Sequence, residues 1–297
     1  MNHDCVAELS GVSKRFGKTV ALDGLDLKVQ SGELFAVLGP NGAGKSTAIS
    51  IMLGLRQPDK GTVRLFGESP LRVESRRQVG VMMQEVSLAA ELRVREQIAL
   101  ARSYYPDSLS VDEVLEVTHT KSLANRPYGK LSAGQKRQAQ FAVAVCGRPK
   151  LLFLDEPTVG LDVQARTTMW AALEKLVEHG ASIVLTTHYL EEAEALADRV
   201  AVLAQGRVIA SGTVDEIRAH VLRKRITCLS SLGAEQVRGW PGVESATRDE
   251  QRLSITASDA EETVRRLLAA DNGLRELEVR RAGLSEAFTE LTQEVLQ

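Results

Sequence analysis

One short stretch constrains the fold more than any other: Gly39-Pro40-Asn41-Gly42-Ala43-Gly44-Lys45-Ser46-Thr47 follows the apolar run Leu34 to Leu38 and precedes a helical pattern. A GxxxxGK[ST] loop has mechanical meaning only between a buried strand and a helix N-terminus, so the chain must build an α/β sheet around it. Its glycines let backbone N–H groups turn inward toward a β-phosphate, and the helix behind adds a favourable dipole. Lys45 then neutralises charge on the β- and γ-phosphates, and Ser46 is placed to ligate Mg2+. The loop predicts binding of ATP.

Two further runs, Leu151 to Leu154 and Ile183 to Leu185, are continuously apolar, as strands buried on both faces of a parallel sheet are. The first ends in Asp155-Glu156. Neighbouring strand residues point to opposite sides, so the two acids take separate roles. Beside the phosphate loop, Asp155 is expected to hold magnesium through water and Glu156 to orient and polarise the attacking water. The second run ends in Thr186-Thr187-His188, which puts an imidazole at a sheet edge within bonding reach of a γ-phosphate. Alone, either feature would be ordinary structure; with the loop, they predict hydrolysis.

Around this core, residues 6–38 alternate apolar and polar positions in short runs and predict a small antiparallel sheet. From about Val86 to Val145 helical spacing takes over, with Val111, Val114, Leu115 and Thr118 on one face. A domain boundary is placed at Leu222, giving a nucleotide-binding domain over 1–222 and an accessory domain over 223–297. The accessory domain alternates at Ile226 to Leu229, Val243 to Ala246, Leu253 to Ala257 and Leu277 to Val279, with helix signals between the outer pairs, which predicts a ferredoxin-like βαββαβ unit. Ser258 and Glu261 frame its second helix as a capping box.

Composition removes other classes. The 37 basic and 39 acidic side chains leave a formal net charge of -2, so no overall positive field draws in nucleic acid. Cys5, Cys146 and Cys228 are odd in number and unpaired in spacing, which points away from zinc and disulfides and toward a reducing compartment. The N-terminus carries no signal-peptide pattern, and no run approaches the ~18 apolar residues of a membrane span, so membrane contact is expected to come through partners.

Five motifs now stand in one order: the phosphate loop, Gln84, Leu131-Ser132-Ala133-Gly134-Gln135, Leu151 to Glu156, and His188. Together they resemble the ATP-binding cassette (ABC) ATPases, strongly over about residues 6–220. The LSxGQ segment is the diagnostic one. The resemblance implies a P-loop NTPase core with a small antiparallel sheet and a helical subdomain at about 86–145. It also implies that Phe16 stacks on adenine with Val20 beneath the base, and that Gln84 senses magnesium. The γ-phosphate of ATP is then met in trans by Ser132, Gly134 and Gln135 of a second, head-to-tail copy, with Asp162 of Gly160-Leu161-Asp162 aligning the partner's site. Ala133 stands where the family often has glycine, at a variable position. Thr187 to Glu194, Gly206 to Thr213 and the tail near Leu284 resemble bacterial multidrug or antibiotic exporter ATPases, which work with separate integral membrane permeases at the cytoplasmic face of the membrane. Two other readings stay open: a soluble ABC machine of translation or repair, which would carry a second cassette or long insertions, and an importer motor, which shares every catalytic motif.

Overall fold

The computed structural model describes residues 5–84, 86–219, 224–281 and 284–296. It divides into two compact units, residues 1–214 and 215–297. Leu222, the sequence-based boundary, lies outside the described residues.

In chain order the first unit contains β1 (Cys5–Phe16), β2 (Thr19–Gln30), β3 (Leu34–Leu38), α1 (Lys45–Met52), β4 (Lys60–Leu65), α2 (Val73–Arg76), β5 (Val79–Met82), α3 (Val94–Arg102), α4 (Val111–Val117), α5 (Ala133–Val145), β6 (Leu151–Asp155), α6 (Val163–Glu178), β7 (Ser182–Thr187), α7 (Leu190–Leu196), β8 (Arg199–Ala204) and β9 (Arg207–Thr213). After α8 (Val214–Ala219) come β10 (Lys224–Leu229), α9 (Ala234–Arg238), β11 (Val243–Asp249), β12 (Arg252–Ala257), α10 (Ala260–Ala270), β13 (Arg275–Arg281) and α11 (Leu284–Leu296).

The main sheet has strand order β5-β6-β7-β3-β8-β9. Every pairing up to β8 is parallel, and β9 closes the sheet antiparallel to β8. Every residue of β3, β6 and β7 is buried, as their unbroken apolar sequence predicts for strands covered on both faces. Because these neighbours run the same way, the segments that follow them emerge along one sheet edge.

The predicted antiparallel sheet is present, ordered β2-β1-β4. Its third strand escaped the sequence reading, since β4 fully buries only Leu65 and shows no alternation. Between β5 and β6, helices α3, α4 and α5 close around Val94, Ile98, Val114, Leu115, Leu123 and Ala139. Ser110 starts α4 with a reciprocal cap: its hydroxyl accepts from Glu113 N at 3.2 Å, and its own N–H donates to Glu113 at 2.7 Å.

The second unit is an antiparallel sheet ordered β11-β12-β10-β13 over its own core of Ile226, Cys228, Val237, Leu253, Ile255 and Leu267. That order, with the βαββαβ sequence of elements, is the ferredoxin-like arrangement. One detail corrects the sequence reading. The cap of α10 is Asp259, which accepts from Glu262 N at 3.0 Å, rather than Ser258. Ser258 is drawn away because both its N–H and its hydroxyl donate to Gly242 O, at 2.8 and 3.2 Å, and Glu261 pairs with Lys224 instead.

Asp271 ties this unit together by accepting from the Ser230 hydroxyl at 2.7 Å, Ser231 N at 2.7 Å and Gly273 N at 2.9 Å. These bonds hold its pKa at about 2, below the ordinary 3.8. A carboxyl depressed on folding stabilises above its unfolded value and loses that contribution as pH falls toward its folded one. The melting temperature of this unit should therefore fall as pH drops from about 4 to 2. Asp271→Ala should melt lower at neutral pH and lack that acid-dependent step; an unchanged acid profile would remove Asp271 from the account.

Candidate functional site

The phosphate loop leaves β3 and wraps onto the start of α1. Gly44, the N-cap of α1, has φ 106°, and a Cβ there would lie 2.6 Å from the carbonyl oxygen of Ala21. Glycine is thus required twice over at this position, by conformation and by space. A Cβ on Gly39 would sit 2.5 Å from Leu203 O, so the loop also runs tight against β8. Lys45 is buried, and its ammonium donates to Gly39 O at 2.6 Å and to Pro40 O at 3.2 Å. Burial lowers the Lys45 pKa, and the charges of Glu156 and Asp155 work against that shift.

Asn41, Gly42, Ala43, Lys45, Ser46, Gln84, Glu156 and His188 line one cavity of about 570 Å³. Segments far apart in sequence meet there because β3, β5, β6 and β7 all end at this edge. Glu156 lies at the centre of the polar side. One carboxylate oxygen is 3.2 Å from His188 Nδ1, and the other accepts from Gln84 Nε2 at 3.4 Å. Asp155 lies beneath, 3% exposed, accepting from the Thr186 hydroxyl. The two acids thus diverge, one into the cavity and one into the strand layer.

Sequence reasoning missed the residues that hold Glu156. Its φ of 49° is in the left-handed region, which a non-glycine residue adopts at a cost of ~1–3 kcal/mol. Opposing that cost, its N–H donates to Thr186 O at 3.0 Å and Thr186 Oγ1 at 3.1 Å. Its carbonyl accepts from the buried guanidinium of Arg137, which also donates to Asp155 O at 3.0 Å and Met83 O at 3.1 Å. One Arg137 side chain on α5 therefore fixes both acids and the residue before Gln84. The available signal was weak: a threonine closing an apolar strand, and an arginine on the inward face of a helix.

The remaining candidates lie elsewhere. Phe16 and Val20 sit at the turn between β1 and β2, 41% and 37% exposed, with the Arg56 guanidinium 5.0 Å from the Phe16 ring centre. Ser132 caps α5 by accepting from Gln135 N at 3.3 Å, while the Gln135 side chain accepts from Ser132 N and from Arg126. Asp162 caps α6, accepting from Ala165 N at 2.8 Å. A Cβ on Gly134 would lie 3.1 Å from Gly160 O, so the two helix starts lie side by side. None of Ser132, Gly134, Gln135 and Asp162 lines the Lys45 cavity of their own chain.

A family profile described as ABC transporter matches residues 22–159. Over 310 aligned positions the chain is 37% identical to Nod factor export ATP-binding protein I of Burkholderia lata, and the match covers 98% of each. The chain belongs to the ABC transporter family. This ABC ATPase is also 36% identical to the daunorubicin resistance ATP-binding protein DrrA3 of Streptomyces coeruleorubidus, over 97% of this chain and 96% of that one. An ATP-binding subunit of an ABC transporter superposes with a TM-score of 0.66 at 30% identity, covering 72% of this chain and 92% of that chain. A dimeric ATP-binding cassette in a post-hydrolysis state with ADP and Pi gives 0.64 at 27% identity, covering 70% and 98%. This ABC ATPase is the ATP-binding, ATP-hydrolysing subunit of a transporter. Among its described residues no helix is long and apolar enough to cross a membrane.

Proposed function

We propose that this ABC ATPase drives export of a drug-like or other small molecule through separate membrane permease subunits, to which it docks at the cytoplasmic face of the membrane as a pair of identical chains. What carries the reading is that the two relatives matched over nearly the whole chain, tail unit included, are named for export and for drug resistance. ATP draws two cassettes together, and hydrolysis with product release separates them; each step moves the permease between inward and outward states.

In this reading Phe16 stacks on adenine with Val20 beneath it, and the backbone from Gly39 through Gly44 to Thr47 wraps the phosphates with Lys45. The donor set suits magnesium: the Ser46 hydroxyl and the Gln84 amide oxygen are hard oxygen ligands on the cavity wall, and the Asp155 carboxylate, which lies beneath that wall, would hold the ion through water. Bound there, Mg2+ neutralises charge on the β- and γ-phosphates. Glu156 takes the proton of the attacking water, a role favoured by its place between Gln84 and His188. His188 donates to the γ-phosphate. The side-by-side placement of Ser132 and Asp162, away from their own chain's cavity, favours a site completed by a second copy.

Accumulation of daunorubicin in cells tests the direction of transport. Deleting the gene should raise accumulation, and the wild-type chain but not Glu156→Gln should restore the lower level. Lower accumulation on deletion would indicate uptake.

A further inference from the structure

Glu192 is a carboxyl-bearing residue of α7 with no exposed surface, and the nucleotide chemistry above does not use it. Its Oε1 accepts from the indole Nε1 of Trp170 on α6 at 3.1 Å. Burial raises its pKa, while the Thr187 hydroxyl, the Trp170 indole, the Thr158 hydroxyl and the charge of Arg166 pull it down. Those neighbours belong to three functional segments. Thr187 immediately precedes His188. Thr158 opens the loop from Glu156 to Asp162, and Trp170 and Arg166 stand on α6, the helix that Asp162 caps.

The junction is unfinished in one respect. Glu192 Oε2 and Thr158 Oγ1 are both buried without a hydrogen-bond partner. An unsatisfied buried polar atom is destabilising, so a small shift of the Thr158 loop that joins this donor to this acceptor is favoured. At its outer end the loop exposes Gly160 and Asp162, where a second chain can reach it.

We propose that Glu192 is a positioning residue that latches onto Thr158 when a second chain engages the Asp162 loop, so that His188 of one site and Asp162 serving the other are set together. The latch rests on the shared-site reading above. It supplies that reading with a route inside each chain: a contact at Asp162 moves Thr158, Thr158 bonds Glu192, and Glu192, whose N–H donates to Tyr189 O at 3.1 Å while Tyr189 N donates to the Thr187 hydroxyl at 3.0 Å, holds the turn that carries His188. Either protonation state of Glu192 serves, because the Thr158 hydroxyl donates to a carboxyl or a carboxylate alike.

The test is ATP turnover against ATP concentration for the full chain and three variants, with ATP affinity measured separately. In Glu192→Ala, kcat should fall about 10- to 100-fold, as for a misplaced catalytic group, with ATP affinity unchanged. The Hill coefficient should drop from a wild-type value near the ~2 sites of a pair toward about 1. Thr158→Val, which keeps shape and loses only the hydroxyl, should show the same pattern and carries the test if the alanine variant folds poorly. Glu192→Gln keeps a group able to bond both Trp170 and Thr158 and should stay close to wild type. A Hill coefficient near 1 in the wild type would overturn the shared site itself. A cooperative wild type with equally cooperative variants, a glutamine variant as poor as alanine, or an unaffected Thr158→Val would overturn the latch alone.

Discussion

Replacing Glu156 by glutamine should lower ATP turnover by about 10²- to 10⁴-fold, the range for loss of a general base, while leaving ATP binding intact. The geometry makes this a clean substitution. Glutamine keeps the length and the polar contacts of glutamate. The Gln84 amide can turn to present its oxygen, and the His188 ring can present either tautomer, so neither partner at 3.4 and 3.2 Å is stranded. The backbone bonds to Thr186 and Arg137 that hold residue 156 in its left-handed conformation do not involve the side chain at all. What disappears is the proposed proton acceptor. Turnover near wild type in this variant would exclude Glu156 as the base, and loss of ATP binding would show that its charge, which offsets the burial of Lys45, matters more than its basicity.

The second large effect is expected at Ser132, a residue that lines no part of its own chain's cavity. Ser132→Arg puts bulk at the exposed start of α5, where the partner's γ-phosphate would meet the helix N-terminus. Removing positioned donors from such a site typically lowers turnover by about 10²- to 10³-fold. The lost helix cap costs only about 1 kcal/mol, too little to unfold the chain. Nucleotide affinity measured on the isolated chain should stay near wild type. A collapse of affinity would place Ser132 in the cis site and contradict the arrangement.

How much of this was legible depended on whether the signal was local. Leu34 to Leu38, Leu151 to Leu154 and Ile183 to Leu185 announced buried parallel strands because each run is long enough to be buried on both faces, and the structure buries every one of their residues. The phosphate loop was legible because its glycines answer local backbone demands, as at Gly44. Strand β4 was not, since its pairing with β1 is a long-range choice that a run with little burial leaves unstated. The cap of α10 shows the same limit at smaller scale. Ser258-x-x-Glu261 and Asp259-x-x-Glu262 are overlapping frames of one signal, and Gly242, distant in sequence, decides between them by taking Ser258. Arg137, Thr186 and Glu192 were hidden for that reason: each acts by bonding segments that only the fold brings near.

The account turns on one claim, that the phosphate gripped by Lys45 in one chain is completed by Ser132 of another. Light scattering on the Glu156→Gln chain tests it directly, because a site that binds ATP without consuming it should hold the pair together. The account predicts twice the monomer mass with ATP and the monomer mass when Ser132→Arg is added, with ATP still bound in both. An ATP-loaded single variant that stays monomeric, or a double variant that dimerises as well as the single one, would contradict it.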